Sequence, residues 1–140
     1  MVDKQKYVDV NVFIYWLGGH PTYGEKSRKW IKRIEKAPLR EYITSTLTLY
    51  ETLIILAGLT GRSLKNMEFV EDTVKAFTRL KGLTLEPLKS EDFVQAVELM
   101  GKYGLDYEDS LHLAVALRTR AAIVITNDED WDKTPIPRTF

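Results

Sequence analysis

The stretch YVDVNVFIYWL (residues 7–17) sets a carboxylate inside a run that is otherwise mostly apolar. Tyr7, Val8 and Val10 have the β-branched and aromatic character of a strand, so residues 7–10 read as β. From Asn11 the apolar residues continue as a short helix that Gly18-Gly19 stops. A carboxylate buried alone in such a segment costs several kcal/mol unless a partner meets it. The fold therefore turns on what Asp9 faces.

The rest of the chain supplies strands separated by helices. A basic amphipathic helix is predicted over 23–36, with Trp30, Ile31 and Ile34 on one side and Lys26, Lys29, Arg33 and Lys36 on the other. EYITST (41–46) reads as a strand and LTLYETLIILAGL (47–59) as a buried helix ending near Gly58. SLKNMEFVEDTVKAFTRL (63–80) reads as a second amphipathic helix, with Leu64, Met67, Val70, Val74 and Phe77 as its apolar stripe. LTLEPL (83–88) is a strand. Helices over 90–104, capped by Ser90, and 106–120, capped by Asp106, precede a last strand, AAIVIT (121–126). The alternation predicts an α/β fold: a central parallel sheet of four to five short strands with helices on both faces. At 140 residues and 44% hydrophobic content, one domain over 1–140 is expected.

Composition narrows the chemistry. There is no cysteine, which excludes disulfides and thiolate nucleophiles, and His20 and His112 do not stand in a zinc-ligand spacing. No apolar run approaches the ~18 residues of a membrane span, and residues 1–7 lack a signal-peptide core, so a cytoplasmic protein with no membrane contact is expected. Net charge is zero, but residues 1–40 hold nine Lys/Arg against four Asp/Glu, while residues 106–132 hold seven Asp/Glu against two Lys/Arg. Such a chain can offer an acidic region to a metal and a basic one to an anion; ordinary solvated surface gives the same pattern.

Four acids stand where a parallel sheet gathers its functional groups, at the carboxyl ends of strands and the starts of helices. Asp9 closes the first strand and Asp128 follows the last. Asp109 lies in the first turn of the helix that Asp106 opens, and Glu51 lies among Leu49, Leu53 and Ile54 on the expected buried side of its helix. Singly, Asp109 is an ordinary first-turn acid, Asp128 a turn residue and Glu51 a surface acid. Together they raise the question of a counter-charge, since Arg118 and Arg120 are more than two turns beyond Asp109. Four clustered carboxylates repel and hold at least one raised pKa. A hard divalent cation with oxygen ligands, Mg²⁺ or Mn²⁺, removes the conflict.

In order and spacing, YVDVNVFIY, TSTLTLYETL, GLDYEDSLHLAVA and VITNDEDW resemble the motifs of PIN-domain ribonucleases, above all the VapC-type toxins of toxin–antitoxin systems. The resemblance spans essentially the whole chain. It implies catalytic and metal-binding roles for Asp9, Glu51, Asp109 and Asp128, with Ser45 and Thr46 leading into the Glu51 helix. Asn11, Thr126, Asn127 and Asp130 match accessory positions. Val10 departs from the small polar residue commoner there; alternation along a strand would turn it away from Asp9. The implied activity is Mg²⁺- or Mn²⁺-dependent endoribonuclease cleavage by activated water, in a homodimer restrained by a small antitoxin protein. His112, one turn after Asp109, is expected to be a packed helix residue and not a base. Two other classes remain open on the residues: a PIN-like RNA-binding module without catalysis, and a receiver-like Mg²⁺-binding signalling domain. The latter would want a lysine at the end of the late strand, where this chain has Thr126-Asn127-Asp128.

Overall fold

Strand β1 (Gln5–Val8) is followed by α1 (Val10–Leu17) and α2 (Gly24–Lys36), then β2 (Tyr42–Ser45), α3 (Thr46–Thr60), α4 (Met67–Thr78) and β3 (Leu83–Glu86). The second half runs α5 (Ser90–Tyr103), α6 (Tyr107–Arg118), β4 (Ala121–Ile125), a 3-10 turn over Glu129–Lys133 and β5 (Arg138–Thr139). The computed structural model describes residues 5–140, so residues 1–4 of the expected domain lie outside the described residues.

The five strands form one sheet in the order β3-β2-β1-β4-β5, and every neighbouring pair is parallel. From β1 the chain winds outward through β2 to β3. It then crosses back by α5 and α6 to lay β4 on the other side of β1. The winding direction reverses between β1 and β4, and a crevice opens at the carboxyl ends of strands at such a point.

Alternation along the strands supplies two faces. Tyr7, Ile43 and Val124 pack with Leu99, Leu105, Leu113 and Val115 of the α5–α6 side. Their neighbours Val8, Tyr42 and Ile125 pack with Val12 and Phe13 of α1, Ile31 and Ile34 of α2 and Phe77 of α4. Each fully buried aliphatic chain stabilises the fold by about 2 kcal/mol, and the two layers hold the sheet between them. Gly82 sets how closely α2 approaches β3: a Cβ there would lie 2.0 Å from the Ile34 carbonyl oxygen. No helix among the described residues is long and apolar enough to cross a membrane.

The boundaries correct several expectations. β1 ends at Val8, and Val10 opens α1 with Asp9 as its N-cap. Strand alternation therefore does not govern Val10. A carboxylate at that corner satisfies the Val10 N–H, at 2.8 Å, which an extended strand would have sent to a neighbour. Helix α4 starts at Met67 because Asn66 caps it through the Phe69 N–H, so Leu64 precedes it. Leu64 and Met67 are exposed and do not join the Phe77 stripe. Lys89, not Ser90, takes the cap position of α5. The short β5, paired with β4, was not anticipated, since Arg138–Thr139 carries no strand pattern of its own.

Candidate active site

The corner between β1 and α1 places Asp9 at the crevice. It is 5% exposed. Its Oδ1 caps α1, while its Oδ2 accepts from the Thr126 hydroxyl at 2.7 Å and the Trp131 indole N–H at 3.2 Å. What Asp9 faces is thus the end of β4 and the turn after it. Thr126 ties the two strand ends further: its oxygen accepts from Asn11 Nδ2 at 2.9 Å and from the Asp128 N–H at 3.0 Å. Asn127 reaches Asn11 through its backbone N–H and the Tyr15 hydroxyl through its amide. The accessory residues Asn11, Thr126 and Asn127 are therefore the stitching of the β1–β4 edge.

A cleft of about 340 Å³ opens there, and Asp9, Glu51, Asp109 and Asp128 all line it, with Asn11 and Asn127. Asp128 caps the 3-10 turn by accepting the Asp130 N–H, and Asp109 is held by α6, whose cap Asp106 accepts the Asp109 N–H at 2.8 Å. Asp109, Asp128 and Asp130 each offer one oxygen within 4.8 Å of the others. Asp130, matched only to an accessory position, thus joins Asp109 and Asp128, while Asp9 lines the same cleft with its oxygens engaged by three donors. Asp130 is half exposed and also pairs with Lys133.

The electrostatics follow from the crowding. Burial pushes the Asp109 carboxyl up to about 7, and the charges of Asp106, Asp128, Asp9 and Asp130 add to it. Asp128 is raised as well, by burial and by Asp130 and Asp9, although the Asp130 N–H opposes the shift. Among the described residues no lysine or arginine forms an ion pair with Asp9, Glu51, Asp109 or Asp128; Arg118 turns instead to Asp92 and Glu86. All the charged donors are carboxylate oxygens, the set that suits a hard divalent cation. Glu51, buried on α3 as expected, lines the cleft, and among the described residues its Oε2 has no hydrogen-bond partner.

Sequence reasoning missed what holds Glu51. His112 is packed in α6, as its position suggested, but its Nε2 bonds Glu51 Oε1 and its Nδ1 lies 2.6 Å from the Tyr7 hydroxyl. Burial disfavours a charged ring there, yet the oxygens of Tyr7, Glu51 and Asp9 outweigh it and raise the His112 pKa well above its usual value. The one-turn spacing of Asp109 and His112 put both on one side of α6; nothing in the sequence linked either to Glu51, 61 residues away from His112. Tyr15 and Glu108 also line the cleft and were not anticipated.

The comparisons with known proteins agree with this architecture. No curated protein matches the sequence. Similar solved structures include a toxin–antitoxin complex from Klebsiella pneumoniae, 20% identical, covering 97% of each chain with a TM-score of 0.69. The Mycobacterium tuberculosis toxin VapC20, described as cleaving the sarcin–ricin loop, is 15% identical over 94% of this chain and 96% of its own, with a TM-score of 0.76. VapBC2 from Rickettsia felis, bound to a fragment of its promoter DNA, is 17% identical over 96% of each chain, with a TM-score of 0.67. At such identities the likeness is one of fold. The PIN domain family model, however, matches residues 6–137, which leaves no room for a receiver-type reading. By sequence and by fold, the chain belongs to the PIN domain family.

Proposed function

We propose that this protein is a Mg²⁺- or Mn²⁺-dependent endoribonuclease and the toxin of a VapBC-type pair, acting in the cytoplasm. One observation carries the reading. Asp9, Glu51, Asp109 and Asp128 come from four different elements to one cleft, and among the described residues no lysine or arginine stands at ion-pair distance from them, His112 meeting Glu51 alone. Crowded carboxylates without such a cation hold raised pKa values, as Asp109 and Asp128 do, and a divalent ion relieves them.

In this account Asp109 and Asp128 hold the metal, with Asp9 and Glu51 completing the set and Asp130 at its open side. When bound, the ion supplies an acidified water and neutralises charge at the scissile phosphate. The chain's part is placement. Thr126 and Trp131 fix Asp9, Asp106 fixes the first turn of α6, and the proton that Asp109 keeps near neutrality is the one a cation displaces. His112 has both ring nitrogens engaged, so it has no lone pair to offer an RNA 2′-hydroxyl. Attack by water then leaves a 5′-phosphate and a 3′-hydroxyl.

The partners follow from the resemblance and the surface. Similar structures are toxin–antitoxin complexes, which supports a small antitoxin protein. Tyr50, Ile54 and Leu59 are exposed along α3, an apolar surface that suits a homodimer.

The test is cleavage of single-stranded RNA by purified protein. Internal cuts are expected with Mg²⁺ or Mn²⁺, none with EDTA, and 5′-phosphate ends throughout. Asp128→Asn is expected to slow cleavage on the order of 10²-fold. Activity surviving EDTA, or 2′,3′-cyclic phosphate ends, would contradict the proposal. Metal binding with no cutting under any condition would favour the non-catalytic RNA-binding module.

A further inference from the structure

Glu51 is 7% exposed, and its two carboxylate oxygens have different surroundings. Oε1 takes the hydrogen bond of His112 Nε2, while Oε2 is buried with no partner among the described residues. Glu51 lines the cleft. His112 is 3% exposed and Tyr7 is fully buried in β1. With Tyr7 at Nδ1 and Glu51 at Nε2, the ring is held at both ends, and the two rings also meet edge-on at 5.9 Å. Among the described residues, Glu51 Oε2 is the unpaired end of this three-residue chain.

Packing alone does not call for such a chain. The neighbours of His112 in α6, Leu111, Leu113 and Val115, are apolar and buried, and a leucine would suit that layer without desolvating a polar ring. A glutamate, in turn, has three rotatable bonds and loses freedom when a ligand fixes it. Securing one oxygen beforehand removes that cost from the binding step. Outer partners of metal-ligating groups act in this way.

We propose that Tyr7 and His112 are positioning residues that fix the Glu51 carboxylate so that Oε2 stands ready as an oxygen ligand for a divalent cation in the cleft. The inference rests on the metal-site reading above and adds to it two residues that touch neither metal nor RNA. Their effect passes through Glu51 alone.

The experiment titrates Mn²⁺ into the metal-free full chain and follows the free-ion signal by electron paramagnetic resonance, with a melting curve for each variant. His112→Leu is expected to weaken Mn²⁺ binding by about 10-fold or more. Tyr7→Phe, which frees one end of the ring, is expected to weaken it less. His112→Gln keeps an N–H near the Nε2 position and is expected to restore most of the affinity. In the Glu51→Gln background His112→Leu is expected to add no further loss, because its route to the metal is already cut. Wild-type affinity in folded His112→Leu or in Tyr7→Phe would overturn the proposal, as would losses from His112 and Glu51 that simply add. Should His112→Leu fail to fold, Tyr7→Phe, alone and with Glu51→Gln, decides the matter by the same criteria. A wild-type chain that takes up no Mn²⁺ would overturn the metal reading and this inference with it. Binding by wild type that none of the variants alters would overturn this inference alone.

Discussion

Asp9 and Asp109 divide two tasks that four similar carboxylates cannot all perform. Asp9 already serves the fold: three donors occupy its oxygens, two of them from residues more than 115 positions away. The repulsion expected of clustered acids is felt instead at Asp109 and Asp128, which burial and neighbouring charges raise. Between its ordinary value of about 4 and its folded value the Asp109 carboxyl keeps a proton that the unfolded chain has released. This group's contribution to the stability of metal-free protein is therefore full below that window and is lost as pH rises through it. Asp109→Asn removes the dependence. In EDTA the variant is expected to be more stable than wild type at pH 8, with the gap closing as pH is lowered toward 4. A gap of equal size at both ends, or a variant less stable at pH 8, would show that Asp109 is not where the strain resides.

At the scale of elements, polar caps set boundaries that the apolar pattern alone misplaces. Leu64 and Met67 continue the three- and four-residue spacing of α4, so periodicity extends that helix to residue 63. Asn66 instead takes the cap position, and the helix begins after it. Asn66→Ala is expected to lower stability by about 1 kcal/mol. Leu64→Ala, at an exposed site outside the helix, is expected to change it by less than about 0.5 kcal/mol. Chemical denaturation of both variants checks this, and the reverse ranking would restore the longer helix. The strands β1 to β4 and all six helices were legible because each carries its own hydrophobic period or cap. β5 was not, since two residues that owe their strand to pairing with β4 leave no local pattern. The site was legible in the same uneven way. Asp9, Asp109 and Asp128 stand at element ends that the sequence reveals. The Tyr7–His112–Glu51 chain joins a strand and two helices distant in sequence, and only tertiary packing brings them together.

For the whole molecule, topology decides where chemistry can occur. The strand order reverses beside β1, so the carboxyl ends of β1 and β4 border a crevice. The acidic surplus of residues 106–132 falls on that crevice through Glu108, Asp109 and Asp128. Arg118, the arginine nearest Asp109 in sequence, is drawn off to Asp92 and Glu86. The arrangement concentrates carboxylates at one rim, where among the described residues no lysine or arginine pairs with Asp9, Asp109 or Asp128. On the proposed reading, a divalent cation supplies the balancing charge. Diffraction from crystals of the full chain grown with Mn²⁺, collected at the manganese absorption edge, tests it most directly. The account predicts an anomalous peak inside the cleft, between the carboxylates of Asp109 and Asp128 and facing Glu51 Oε2. A cleft without a peak at millimolar Mn²⁺, with the four carboxylates in place around it, would contradict the account.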